Sequence, residues 1–142
     1  MTSESAQQQG EAHDPFAYLF PYEFVLLTTF RKNGGGVPTA MWFAHEQGTL
    51  YMVTGRTSGK IKRIRNNDGV LLAPCDLMGN VLGPLIEAFA RELPADQHPH
   101  ANALLAHKYG EEYEMDSSEG IESYFALLEA YEQDTTSAFA GH

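Results

Sequence analysis

Residues 54–67 read TGRTSGKIKRIRNN and bring Arg56, Lys60, Lys62, Arg63 and Arg65 into one short stretch. The chain has only nine Lys and Arg residues and a formal net charge of -10. Thr57 or Ser58 can cap a helix starting here, Ile61 and Ile64 lie three apart on one face, and Asn66-Asn67 ends it after about two turns. Cations in a first helical turn oppose the positive end of the macrodipole, at a cost of about 0.3–1 kcal/mol each. An anion in the mouth of the turn removes the conflict, because free amides, dipole and the Lys60 ammonium all attract it. On a helical projection Lys60 and Arg63 share one side, and Lys62 and Arg65 another. One pair can grip a phosphate while the other stays in solvent or meets an acidic group. A solvated basic helix that offsets an acidic chain explains the spacing equally well. A Walker loop is excluded: GRTSGKI has three residues between its glycines where four are needed, and Ile61 replaces the magnesium-binding hydroxyl.

Other residue types carry less chemistry. His98, His100 and His107 lack a carboxylate at a natural metal-site spacing and read as exposed histidines, so no metal is expected. Cys75 has no histidine placed to activate it. No Ser-His-Asp order or carboxylate pair stands out, and no catalytic residue can be named. That absence suits an enzyme whose chemistry resides in a cofactor.

The elements that must position the basic stretch are mostly strands. Residues 1–13 are polar, Gln-rich and aperiodic and read as a disordered tail. Asp14-Pro15 starts a short helix with Phe16, Leu19 and Phe20 facing the core. Strands follow at Tyr22–Phe30, Val37–Ala44 and Thr49–Thr54, separated by turns at Asn33–Gly36 and Gln47-Gly48. After the basic helix come Val70–Cys75 and a long strand around Val81–Leu93, bent at Gly83-Pro84. Ala101, Leu104 and Leu105 mark a helix after Pro99, with Gly110 as its C-cap. Asp116 with Glu119 resembles a capping box, and Ile121, Tyr124, Phe125, Leu128 and Tyr131 recur at helical spacing. Residues 14–110 thus read as a mainly β domain with helices (α+β), and 111–142 as an acidic helical extension packed on the barrel or a partner subunit.

At 142 residues one domain is expected, and it buries only about 68–70% of its unfolded surface, so a ligand cavity shared by two subunits is natural. Nine of the nineteen acidic residues lie from Glu111 onward, and no Lys or Arg follows Lys108. Such a surface repels nucleic acid and anionic lipid, so neither is expected as a partner. No apolar run approaches a membrane span and the N-terminus is not a secretory signal, which makes a cytoplasmic protein the expectation.

YEFVLLTTFRKNGGGVPTAMWF, then YMVTG, RTSGKIKRIRNN and VLLAPCD, resembles in series the pyridoxamine 5'-phosphate oxidase-like split-barrel flavoproteins, most nearly the branch that uses the deazaflavin coenzyme F-420. The resemblance runs from about Tyr22 to Gly110. It implies a six-stranded FMN-binding-type split β-barrel and a homodimer with the cofactor at the interface. It also implies that Pro38, Thr39, Ala40, Met41 and Trp42 run along the ring, with Val53 and Thr54 beside the ribityl portion. Ser58, Gly59 and Lys60 match the phosphate-binding turn, with Arg63 as a second cation. The implied activity is hydride transfer between coenzyme F-420 and a small organic substrate. The alternatives are FMN on the same fold, or a non-catalytic module that binds flavin, haem or a hydrophobic ligand. Relatives continue after the KYG-like helix into a last barrel strand, whereas here the chain turns acidic.

Overall fold

The computed structural model describes residues 14–55, 58–111 and 125–131. Asp14 opens the fold as expected. Its Oδ1 accepts from the Phe16 N–H at 2.9 Å, and a single 3-10 turn at Ala17–Leu19 drives Phe16 and Leu19 into the core. Strand β1 (Phe24–Phe30) buries every second residue, Val25, Leu27 and Thr29, as a sheet with one inward face requires. The turn after it depends on Gly34 at φ 91°. Strand β2 (Gly36–Trp42) then returns antiparallel to β1 in continuous register, from Phe30↔Gly36 to Phe24↔Trp42. β2 is an edge strand, the place in a sheet where Pro38, which lacks an N–H, is tolerated.

The expected strand Val37–Ala44 is broken at Phe43, and Ala44–Glu46 forms a separate β3. Gln47 and Gly48, both at positive φ, make the tight turn into β4 (Thr49–Gly55). Helix α1 (Gly59–Asn66) follows, then β5 (Gly69–Cys75), β6 (Ile86–Glu92), helix α2 (His98–Tyr109) and β7 (Phe125–Tyr131). The strands form one antiparallel sheet in the order β2-β1-β5-β6-β7-β4-β3. Its two edges, β2 and β3, are consecutive in the chain. The sheet therefore closes on itself through the Phe43 corner, while β2 lies against β4 without pairing to it.

Three expectations are corrected. The strand predicted around Val81–Leu93 starts only at Ile86, with an isolated bridge Cys75↔Val81 before it. There the Leu82 N–H bonds to the Pro74 carbonyl at 2.8 Å, and glycine at 83 permits this close pass, since an added Cβ would lie 2.8 Å from the Pro74 ring. Among the described residues the sheet has seven strands and not six, since the Phe43 break adds β3. The helix expected over Ile121–Tyr131 is, from Phe125 onward, strand β7. It fills the gap between two exposed ladders, pairing with β4 from Leu50↔Ala130 to Gly55↔Phe125 and with β6 from Phe89↔Tyr131 to Glu92↔Leu128. Satisfying both sets of backbone groups outweighs the high helix propensity of FALLEAY, most of which is Ala, Leu and Glu. Residues 1–13, Arg56, Thr57 and the capping box at Asp116 and Glu119 lie outside the described residues.

Inside the barrel, Val25, Leu27, Phe43, Leu50, Met52 and Leu72 are fully buried, and Ile61 and Ile64 of α1 close one end among them. Each such side chain contributes roughly 1.5–3 kcal/mol. Helix α2 packs Ala101 and Leu105 inward and ends at Gly110, whose N–H bonds to the Ala106 carbonyl at 2.8 Å. It starts two residues before the predicted His100, with Pro99 in the first turn, where a missing N–H is harmless.

Candidate functional site

Helix α1 begins as the sequence predicts. Ser58 occupies the N-cap with extended backbone (φ -66°, ψ 155°), and its N–H bonds to the Gly55 carbonyl at 3.0 Å. Its hydroxyl turns away from the helix amides to Thr54 Oγ1, 3.3 Å distant. The first turn contains no acidic residue. Arg63 folds back over this turn: its Nε donates to Oγ1 of the buried Thr29 at 2.6 Å. A Cβ on Gly59 would lie 2.7 Å from Arg63 Nη1, so glycine leaves the space in which the guanidinium lies. Burial, and then the neighbouring Arg63, push the Lys60 amine below its ordinary range. The other pair divides differently. Arg65 makes a two-point bridge to Glu92 (2.6 and 3.0 Å) on β6, and Lys62 is exposed. The Lys60 amine and the guanidinium that Arg63 folds back from the last turn therefore stand at the positive end of a helix with no acidic partner among the described residues, an arrangement that an anion stabilises.

A second feature lies at the other end of β2. A cleft of about 780 Å³ opens between the approach to β1 (Pro21 to Phe24) and the end of β2 (Ala40, Met41, Trp42), with Val53 of β4 and the Cys75–Leu77 and Leu82 segments completing it. Phe24 faces both Trp42 and Cys75 across the sheet, which explains how three strands contribute to one cavity. Asp76 organises the loop beyond β5. Its carboxylate accepts from the Asn80 side chain and from the N–H groups of Asn80 and Met78, and these bonds hold it below the usual carboxylate range. Burial and the adjacent Asp76 push the Cys75 thiol up, so it stands as a protonated thiol and not as a nucleophile.

The structure thus sorts the predicted residues into two groups. Ala40, Met41, Trp42 and Val53 meet in the cleft. Thr54, Ser58, Gly59, Lys60 and Arg63 gather at the α1 turn. Pro38 and Thr39 fall along β2 between them, paired with Thr28 and Leu27. Tyr22, Phe24, Asp76, Leu77 and Leu82 also line the cleft and were not singled out from the sequence, because their shared address depends on strand register. The histidines go separate ways: His98 Nε2 lies 3.1 Å from the Leu93 carbonyl, and His100 pairs with Glu46 at 2.5 Å. Among the described residues no cluster of metal-ligating side chains forms, and no helix is long and apolar enough to cross a membrane.

No protein-family model and no curated protein sequence matches the chain. Solved structures do. The haem storage protein HutZ from Vibrio cholerae superposes with a TM-score of 0.61 at 12% identity, covering 92% of this chain and 90% of its own. A candidate 5-nitroimidazole antibiotic resistance protein from Bacteroides thetaiotaomicron gives 0.59 at 14%, with 87% and 77% covered. A Clostridium acetobutylicum protein of the pyridoxinephosphate oxidase family, related to general stress protein 26, gives 0.57 at 18%, with 79% and 76% covered. The fold is the split barrel of the pyridoxamine 5'-phosphate oxidase-like proteins. In this split barrel the opening between β2 and β4 is bounded by cleft residues of both strands, Trp42 and Val53.

Proposed function

We propose that the protein is a split-barrel oxidoreductase that works as a homodimer, holds coenzyme F-420 (or FMN in its place), and exchanges hydride between that cofactor and a small organic substrate. The observation that carries this reading is the short link between the cleft and the cationic turn. Val53 lines the cleft, Thr54 touches Ser58, and Gly55 accepts the Ser58 N–H. Two strand residues span about 7 Å, a length suited to the linker between a ring system and its phosphate. Lys60, Arg63 and the first-turn amides would hold the phosphate. Trp42 and Phe24 offer flat apolar walls to the ring, and the outward backbone groups of the edge strand β2 suit its polar edge. A bound flavin or deazaflavin supplies the hydride chemistry; the chain binds it, orients it and excludes water.

The dimer in this reading is supported by an apolar run beside the cleft. Leu77, Met78, Val81, Leu82 and Leu85 are all more than half exposed, which a second copy would cover.

The likeness to a haem storage protein motivates a carrier as the second reading. Against it, the histidines at 45, 98, 100 and 107 do not line the cleft.

Titration of the protein with F-420, FMN and haem, followed by Trp42 fluorescence quenching, tests the proposal. F-420 or FMN is expected to bind, and Lys60→Ala is expected to weaken binding by roughly 1.5–3 kcal/mol through loss of a charge-assisted hydrogen bond. Binding of haem alone, or an unchanged dissociation constant in the variant, counts against it.

A further inference from the structure

The corner at Phe43 joins the two edges of the sheet, yet the ladder does not hold it, since β2 pairs with β1 and β3 with β4. The last two residues of α2 hold it instead. Tyr109 Oη accepts from the Phe43 N–H at 2.9 Å, and the carbonyls of Phe43 (2.8 Å) and Glu23 (2.7 Å) both lie within reach of its single proton. Lys108 Nζ sits 3.4 Å above the centroid of the buried Phe43 ring and donates to the Tyr22 carbonyl at 3.2 Å. The Tyr109 ring stacks on Trp42, with centroids 4.8 Å apart and planes 18° from parallel. Tyr22 and Glu23, at the approach to β1, and Trp42, at the end of β2, all line the cleft. The helix needs none of this to end, because Gly110 already caps it.

We propose that Lys108 and Tyr109 are positioning residues, a two-residue clamp that sets the spacing of the cleft walls by tying the Phe43 corner to the start of β1. That the clamp serves a flavin-type cofactor rests on the function proposed above; the clamp itself rests on the contacts alone.

Trp42 is the single tryptophan, so its fluorescence reports the wall with no cofactor present. Tyr109→Phe keeps the ring and removes the hydroxyl. The full-length variant, shown to be folded by circular dichroism, is expected to expose Trp42 more to acrylamide quenching. It is also expected to bind FMN or F-420 about tenfold more weakly, the loss of one well-placed hydrogen bond. Unchanged quenching with only a lower melting temperature overturns the clamp. Raised quenching with unchanged coenzyme affinity overturns its role toward the cofactor. If neither coenzyme binds the parent protein while quenching still rises, the cofactor reading fails and the clamp stands. Should Tyr109→Phe not fold, Lys108→Met, which keeps the stem and removes the charge, is put through the same quenching measurement, and no change there overturns the proposal.

Discussion

Lys108 illustrates how one side chain can be held against its own solvation. Burial lowers its amine from the ordinary 10.5 to about 8, with Glu23 opposing the shift. The same desolvation, followed by the charge of Lys108, lowers neighbouring His45, which Asp14 partly restores. Because the folded value lies below the unfolded one, the unfolded chain binds more protons between about pH 8 and 10.5. Stability owed to this group therefore rises with pH across that window, and the penalty is constant below it. Lys108→Met removes the titration. Thermal unfolding of both proteins from pH 7 to 10 should show the parent gaining stability relative to the variant above pH 8. A difference that is flat or falls with pH would contradict the assignment. At this scale the sequence was informative about Lys60, whose charge at a helix start is visible in spacing alone, and about Arg63, which shares its side of the helix. It was silent about Lys108 and Tyr109, because their partners Phe43, Tyr22 and Glu23 are more than sixty residues away in the chain.

Among the elements, β7 matters most for the integrity of the barrel. Its sequence repeats apolar residues in a way that satisfies a helix, and local preference pointed there. What decides the outcome is the pair of unfilled edges on β4 and β6, a property of the assembled sheet. A chain truncated after Gly110 is accordingly expected to lose cooperative unfolding and to aggregate through those edges. If that fragment melts as sharply as the parent, residues 125–131 are dispensable and the sheet does not depend on them. The strands β1, β4 and β5 were legible to within two residues, since alternation and turn residues act locally. The break at Phe43 was not, because it is made by contacts to the end of α2 and not by a glycine or proline.

For the molecule as a whole, the exposed Leu77–Leu85 run should be covered in solution. Leu82→Asp is expected to convert a dimer to a monomer by light scattering and to weaken coenzyme binding, since Leu82 also lines the cleft. A parent protein that is monomeric with cofactor present would refute the shared site. By itself the sequence determined the β-rich class, the cationic helix start and the core stripe Ile61–Ile64, because these follow from residue type and near-neighbour spacing. Only the tertiary structure decided that the acidic C-terminal segment supplies a strand, that the sheet's edges meet at Phe43, and that Tyr22, Trp42 and Val53 share one cavity. Those outcomes depend on which backbone edges remain to be paired after the other strands have assembled, and local sequence carries no record of that.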